Sequence, residues 1–168
     1  MLIRSAIPED AVALWQSEVE TARTPGRLVS GPDELVLEAF LAKIGQLSAA
    51  GSYVVAEDGG KIVGHAFVER MPLAALRHVT RLTVVVHPAQ TGQGIGTALV
   101  QHLQSWARAE RDVEKIELLV RSTNTGAVKL YRRLGFVEEG RFKNRVRLSD
   151  GQLVDDLAMA WFAKTSTG

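Results

Sequence analysis

The stretch Val84-Val85-Val86-His87-Pro88, followed by Gly92-Gln93-Gly94-Ile95-Gly96-Thr97, decides how this chain folds. The β-branched run is typical of a buried strand, and Pro88 ends it because proline cannot donate to a sheet. Beyond the glycines, apolar residues recur at helical spacing. These residues are Ala98, Leu99, Leu103 and Trp106. The sequence therefore predicts a strand, a glycine turn and a helix in that order.

The glycine turn is predicted to bind an anion. The first four amides of a helix have no partner within the helix, and the helix dipole adds partial positive charge at that end. Glycine lets a phosphate approach the main chain because it has no Cβ. Three alternate glycines also occur in ordinary turns between a strand and a helix, so a plain turn is the alternative interpretation at this point.

Composition limits the class of protein. A length of 168 residues favours one domain covering residues 1–168. The 20 Lys+Arg and 19 Asp+Glu give a net charge of +1 without a dense basic stretch, which argues against a nucleic-acid partner. Without cysteine the chain has no disulfide, no thiolate nucleophile and no Cys-ligated zinc. His65, His87 and His102 show no ligand spacing, so we expect no metal. Lacking a signal-peptide pattern or a membrane-spanning apolar run, the chain is expected to be cytoplasmic, without a membrane partner.

Residues 1–51 are predicted to form a strand and two helices. The strand is Leu2 to Ile7, and the first helix opens at Pro8-Glu9-Asp10. Its predicted apolar face comprises Val12, Trp15 and Val19. The second helix is predicted to begin near Pro32-Asp33-Glu34 and to stop at Gly51. Its stripe comprises Leu37, Phe40, Leu41 and Ile44.

Residues 52–161 are predicted to form the main sheet and the helices that pack on it. Strands at 52–57, 61–68 and 79–87 follow one another through short turns, which favours an antiparallel meander. The helix after the glycine turn runs to about Glu110 and crosses over to a parallel strand at 115–120. A helix from Asn124 to a stop at Gly135 and two last strands follow. The fold class is therefore mixed α/β (α+β), a mostly antiparallel sheet of about seven strands with helices on both faces. The tail Thr165 to Gly168 is expected to fray.

A second motif, Asn124-x-x-Ala127-x-x-Leu130-Tyr131-x-x-x-Gly135-Phe136, follows the glycine turn in the same chain. With both motifs in this order, residues 52–161 resemble the GNAT superfamily of N-acetyltransferases, which use acetyl-CoA. The ending from Arg147 to Met159 is similar to members that acetylate small amines, amino acids or protein N-termini. This likeness of the ending is less specific than the two motifs.

The resemblance implies that residues 52–161 form a core that binds acetyl-CoA as the cofactor. Backbone groups of Val84, Val85 and Val86 would pair with the pantetheine arm of acetyl-CoA where this strand splays from its parallel neighbour. Asn124 matches a position that contacts the arm, and Tyr131 matches the usual general acid, which also lies at the cofactor. The amides implied to hold the pyrophosphate are those of Gly92, Gln93, Gly94, Ile95, Gly96 and Thr97.

Two residues depart from the family pattern. Thr91 stands where Arg or Gln usually precedes the first glycine, so Gln90 or Gln93 would have to supply that contact. Arg81 stands where close relatives carry Glu, and a guanidinium cannot accept a proton. An acceptor ammonium with a pKa of about 10 must lose a proton before it attacks. Glu117 is the predicted catalytic base, with His78 as a second candidate and ordinary surface charge as the alternative for each.

Three functions remain open at this point. The first is direct transfer of an acetyl group from acetyl-CoA to a primary amine of a small molecule, an amino acid or a protein N-terminus. The alternative is a non-catalytic acyl-CoA-binding or sensing module on the same fold. A dinucleotide-binding domain is disfavoured because its glycines would follow the first strand. Acceptor pockets are expected in the loop Arg23 to Gly31, the loop after Arg70 and the hairpin Lys143 to Leu153, and a homodimer through the C-terminal strands is compatible with the fold.

Overall fold

The computed structural model describes residues 1–163, apart from the side chains of residues 49–51. The predicted frayed tail, Thr165 to Gly168, lies outside the described residues. The strands are β1 (Leu2–Ser5), β2 (Gly51–Asp58), β3 (Lys61–Arg70), β4 (Val79–Val86), β5 (Lys115–Arg121), β6 (Val137–Arg147) and β7 (Leu153–Phe162). The helices are α1 (Ala11–Ala22), α2 (Leu37–Ala50), α3 (Ile95–Ala109) and α4 (Thr125–Arg133).

The strands form one sheet in the order β1-β2-β3-β4-β5-β7-β6. Every neighbouring pair is antiparallel except β4 and β5, which run parallel because α3 crosses over between them. Gly59 and Gly60 have positive φ angles in the turn between β2 and β3, where only glycine is free of strain. The predicted mixed, mostly antiparallel sheet of seven strands is confirmed.

The two parallel strands separate soon after they meet. β4 and β5 pair only at Val79–Lys115, Thr80–Ile116 and Arg81–Glu117, whereas β4 stays paired with β3 up to Val86. The His87 amide donates to the Val63 carbonyl, and backbone direction alternates along an antiparallel strand. The backbone groups of Val84 and Val86 therefore point away from β3 and into the gap. The predicted splay is confirmed, and it arises without a register shift between β3 and β4.

Helices cover both faces of the sheet, as predicted. On one face, α3 and α4 pack on a core that includes Leu99, Leu103, Ile116 and Met159. On the other face, α1 and α2 cover a smaller cluster that includes Leu14, Phe40, Ile44, Tyr53 and Phe67. Each cluster uses alternate residues of the strands, since successive side chains point to opposite faces.

Two predictions for the first 51 residues are wrong. The buried face of α1 consists of Ala11, Leu14, Ser17 and Thr21, whereas Val12 is 49% exposed. The helix is rotated because polar groups of the sheet lie beneath it, as described below. The residues Pro32–Glu34 form a separate 3₁₀ turn, and α2 begins only at Leu37. Leu35 is extended there, with its carbonyl accepting a hydrogen bond of 2.9 Å from the Trp15 indole.

Candidate active site

The glycine turn presents open backbone at the start of α3. Gly92 and Gly94 have φ angles of +82° and +80°, and a Cβ at either position would meet no atom within 4 Å. Gly96 differs, because a Cβ there would lie 3.1 Å from Leu130 Cδ1. The first two glycines therefore leave space in front of the helix amides, while Gly96 permits close packing of α3 against α4.

A cavity of about 440 Å³ joins the turn to the gap between β4 and β5. It collects most of the residues that the two sequence motifs predicted for the cofactor. Those in its wall are Val84, Val85, Val86, Gly92, Gly94, Ile95, Gly96, Thr97, Asn124 and Tyr131. Gln93 belongs to the turn but not to the wall, and Glu117 is also absent from it. The structure thus brings together two motifs that are separate in sequence.

Asn124 has a structural role in addition to its place in the cavity wall. Its side chain caps α4, with Oδ1 accepting from the Ala127 amide at 3.4 Å. This cap fixes the start of the helix that carries Tyr131. The side-chain amide of Asn124 still lies at the cavity and has two donors available for a ligand.

Tyr131 is buried to 8% exposure, with its ring packed on Phe136 at a centroid distance of 5.5 Å. Its hydroxyl makes no hydrogen bond to any residue between 1 and 163. The hydroxyl oxygen is not fully enclosed either, so it is open to the cavity. Burial raises the pKa of Tyr131 to about 12, while the nearby charge of Arg121 works in the opposite direction. The phenol is therefore a proton donor at neutral pH.

Glu117 lies where the two parallel strands last pair. Its carboxylate contacts Arg81 Nη2 at 3.7 Å and Lys115 Nζ at 3.8 Å, in ion pairs rather than in the cavity wall. His78 precedes β4, at the opposite end of that strand from the glycine turn. The structure therefore does not bring either predicted base into the cavity with Tyr131.

Three cations in the cavity wall were not predicted as cofactor residues. These are Arg27, Lys129 and Arg133. Arg133 Nη2 donates to Thr97 Oγ1 at 3.1 Å, which holds the guanidinium beside the first turn of α3. The Thr91 hydroxyl donates to the Pro88 carbonyl at 3.2 Å. The spacing of Lys129 and Arg133, four residues apart on one helix face, could have indicated an anion site.

Two of the three loops expected to receive the acceptor meet beside the cavity, whereas the loop after Arg70 lies before β4, at the end opposite the glycine turn. A Cβ on Gly26 would lie 3.5 Å from Thr123 Oγ1 and 3.9 Å from Leu148, so the loop after α1 touches the turn between β6 and β7. That turn is shorter than predicted, since β6 continues to Arg147.

Two carboxylates that could have attracted a cationic amine are occupied within the protein. Asp155 accepts from the Asn144 amide at 2.8 Å and from Arg141 at 2.6 Å, and these contacts lower its pKa. Asp156 is buried between Arg121 and Arg145, each at 3.4 Å.

Two negative findings hold for residues 1–163. In this part of the chain, no three His, Asp or Glu side chains are grouped so that they could hold a metal ion. None of its helices is both long enough and apolar enough to cross a membrane.

Comparison with known proteins gives consistent matches. The family described as "Acetyltransferase (GNAT) family" matches residues 13–136. N-alpha-acetyltransferase RimI of Mycobacterium tuberculosis is 32% identical over 128 residues, covering 76% of this chain and 77% of RimI. Phosphinothricin N-acetyltransferase of Alcaligenes faecalis is 31% identical over 129 residues, covering 76% of this chain. This match spans only 64% of the Alcaligenes protein. L-amino acid N-acetyltransferase AaaT of Escherichia coli is 31% identical, covering 60% of this chain and 62% of AaaT.

Solved structures agree on the fold. A GNAT-family acetyltransferase from Streptococcus pneumoniae superposes with a TM-score of 0.89 at 25% identity, covering 96% of this chain and 98% of that one. The Salmonella typhimurium protein yncA, a putative acetyltransferase solved with its cofactor acetyl-CoA, gives 0.89 at 21% identity, covering 100% and 96%. Together with the match over residues 13–136, these likenesses show that the chain belongs to the acetyltransferase (GNAT) family.

Proposed function

We propose that the protein transfers an acetyl group from acetyl-CoA to a primary amine of a small molecule, an amino acid or a protein N-terminus. The observation that carries this proposal is the cavity shared by the glycine turn, the free edge of β4 and the hydroxyl of Tyr131. The named relatives support an amine acceptor, because RimI, AaaT and phosphinothricin N-acetyltransferase are all N-acetyltransferases by name.

The residues present fit acetyl-CoA. Gly92 and Gly94 leave room for a pyrophosphate at amides that have no helical partner. Arg133 and Lys129 supply positive charge at the same place, where Thr91 supplies none. The backbone groups of Val84 and Val86 that face the gap can pair with the amides of a pantetheine arm, as an added strand would.

The reaction forms a bond between the amine nitrogen and the acetyl carbon, and it breaks the bond from that carbon to the CoA sulfur. The amine nitrogen gives up one proton to a base, and the departing thiolate takes one proton from an acid. Tyr131 is proposed as this acid, because its hydroxyl is protonated and open to the cavity. A backbone amide of the free edge, such as that of Val86, is proposed to stabilise the oxyanion that forms between these events.

Glu117 is the base predicted from the sequence for this reaction. Its carboxylate would accept the proton of the amine directly or through one water molecule. Its ion pairs with Arg81 and Lys115 hold the carboxylate outside the cavity wall. Glu117 is thus a candidate base whose role has to be tested by experiment.

A panel of primary amines tests the proposal. Thermal denaturation with acetyl-CoA, NAD and ATP comes first, and a ligand at one hundred times its Kd adds about 2.7 kcal/mol of stability. We expect acetyl-CoA alone to raise the melting temperature, and at least one amine to release free CoA thiol. A shift with acetyl-CoA but no thiol release with any amine would instead support the sensing module.

A further inference from the structure

A chain of three polar side chains lies buried beneath α1. His65 is fully buried at 0% exposure on the face of β3 that α1 and α2 cover. Its Nδ1 is 3.1 Å from the Tyr53 hydroxyl, and its Nε2 is 3.2 Å from Glu18 Oε1. The surroundings are otherwise apolar, with Leu14 and Phe67 in the same cluster. Buried polar groups are costly unless they pair, so this arrangement in an apolar layer requires an explanation.

The direction of the protons in this chain follows from Tyr53. Burial raises the pKa of Tyr53 above its ordinary range, and the charges of Glu18 and Asp10 act in the same direction. The hydroxyl therefore stays protonated, and because a carboxylate can only accept at Nε2, we assign it as the donor to His65 Nδ1. The imidazole proton is then on Nε2, facing the carboxylate of Glu18. Asp10 is itself held by Arg4 at 2.7 Å and does not contact His65.

The contact between His65 and Glu18 leaves the carboxylate able to turn. Although the two atoms are 3.2 Å apart, Nε2 has no aligned hydrogen bond to any of the residues that the structure describes. Glu18 keeps 13% of its side chain exposed, whereas His65 is entirely enclosed. One carboxylate oxygen thus lies against the imidazole, while part of the side chain still reaches the surface.

This chain lies directly behind the candidate active site. His65 is the register partner of Val85 in β4, and Val85 lines the cavity. Glu18 lies one helical turn before Thr21, which lines the cavity from the side of α1. Residues three apart on a helix share a face. Glu18 is not itself in the cavity wall, but it lies one turn from Thr21 along α1 and contacts the enclosed His65.

From this geometry, which rests on the proposed function, we infer that Glu18 is the general base. The carboxylate accepts one proton from the acceptor ammonium, and the neutral amine then attacks the acetyl carbon. His65 and Tyr53 are proposed as positioning residues, since Nε2 lies 3.2 Å from Glu18 Oε1 and can hold the carboxylate when it turns into line. The arrangement supplies a carboxylate beside the cavity wall, from which it is proposed to reach the amine by turning its side chain or through one water molecule. Arg81 of this chain has no such acceptor to offer.

The test compares Glu18→Gln with wild type on an amine that the wild type acetylates. We expect kcat/KM at pH 7 to fall by about 10²–10⁴-fold, since general-base catalysis contributes that much. The loss should shrink as pH rises toward the amine pKa of about 10, because the amine then needs no base. Glu18→Asp, which keeps a carboxylate, should restore part of the rate. Glu9→Gln, exposed just before α1, is the matched control and should behave as wild type.

The positioning role has its own measurement. Tyr53→Phe should lower the rate in the wild-type protein but not further in Glu18→Gln, because the two residues act as one unit. In protein labelled with ¹⁵N imidazole, His65 should carry its proton on Nε2, and Tyr53→Phe should abolish this preference. The His65 signal is identified by its loss in His65→Gln.

The contradicting results are specific. Wild-type rates in Glu18→Gln across the pH range, with native circular dichroism and unchanged acetyl-CoA affinity, would overturn the assignment. So would a pH-dependent loss found only in Glu117→Gln. If the proposed function itself fails, the wild type would bind acetyl-CoA and release no thiol with any amine. That result would remove both the reaction and this role for Glu18.

Discussion

Arg133 and Thr97 join the last turn of α4 to the first turn of α3, with 3.1 Å between Nη2 and Oγ1. The bond holds a cation at the end of the helix where a pyrophosphate is proposed to bind. The sequence motifs predicted no charged side chain from this pair at the cofactor, but both residues line the cavity. A positive side chain is thereby supplied from α4 rather than from the position of Thr91.

Arg133→Gln is therefore expected to weaken acetyl-CoA binding about tenfold, the effect of losing one charge-assisted hydrogen bond. The difference in acetyl-CoA affinity between the wild type and Arg133→Gln should decrease with added salt, because charge attraction is screened. Titration calorimetry at two salt concentrations measures both effects. Arg132→Gln is the matched control, since Arg132 points to Glu138 at 3.2 Å and is not in the cavity wall. Equal losses in the two variants would contradict a local phosphate contact.

Tyr131→Phe is expected to lower kcat by about 10²–10⁴-fold with little change in acetyl-CoA affinity, because it removes the proton and keeps the ring. With a pKa of about 12, the phenol of the wild type should not limit the rate by ionising below pH 11. Single-turnover kinetics, in which product release does not interfere, measure the chemical step. A Phe variant with the wild-type rate would make Tyr131 a packing residue only.

Gly94→Ala is expected to reduce acetyl-CoA affinity at least tenfold while the protein stays folded. The added methyl enters the open space before α3, and the φ of +80° costs a non-glycine residue about 1–2 kcal/mol. Gly59→Ala controls for this backbone cost, since Gly59 has a φ of +55° in a hairpin turn with no atom near its Cβ position. Calorimetry and chemical denaturation separate the two effects. Similar acetyl-CoA affinities of Gly94→Ala and Gly59→Ala would argue against a ligand at the glycine turn.

Asp10→Asn is expected to destabilise the fold by about 1–3 kcal/mol at pH 7, through weaker hydrogen bonds to Arg4 and the Ile7 amide. Burial works to raise the pKa of Asp10, but these bonds outweigh it and hold the pKa below its ordinary value. A lowered pKa stabilises the fold above the unfolded value of about 3.9, and the contribution is lost as pH falls through the folded pKa. Urea titrations at pH 7 and at pH 2.5 should show the difference shrinking.

The exposed Asp112 gives the comparison for this pH dependence. Asp112→Asn should change the free energy of unfolding by less than about 0.5 kcal/mol at either pH. A destabilisation of Asp10→Asn that is equal at both pH values would contradict the charged pair.

The order of elements could be predicted because local signals agreed with one another. Gly59 and Gly60 marked the hairpin turn, Pro88 ended β4, and Gly135 ended α4 with a φ of +85°. The α1 face could not be predicted, because its buried residues include Ser17 and Thr21, whose polarity hides the stripe. Those residues are buried by the tertiary structure, which periodicity along the helix does not report.

The candidate site was predictable only where a motif is contiguous. The glycine turn could be found from its spacing, whereas the roles of Val84 to Val86, Asn124 and Tyr131 came from the resemblance to the acetyltransferase family. Glu18 and His65 are 47 positions apart in the printed sequence, and nothing in either segment signals the other. They meet because α1 crosses over β3, which depends on the packing of the whole N-terminal layer.

The short pairing of β4 with β5 also has a mechanical meaning. Three register pairs between β4 and β5, together with the backbone hydrogen bonds to the His78 carbonyl, join strands β1 to β4 to strands β5, β7 and β6. The sheet is therefore two ribbons with a narrow seam. A bound pantetheine arm would lengthen that seam by adding hydrogen bonds along β4. Resistance to shear between the two ribbons would then depend on the ligand, and amide hydrogen exchange at Val84 and Val86 would report how firmly they are held together.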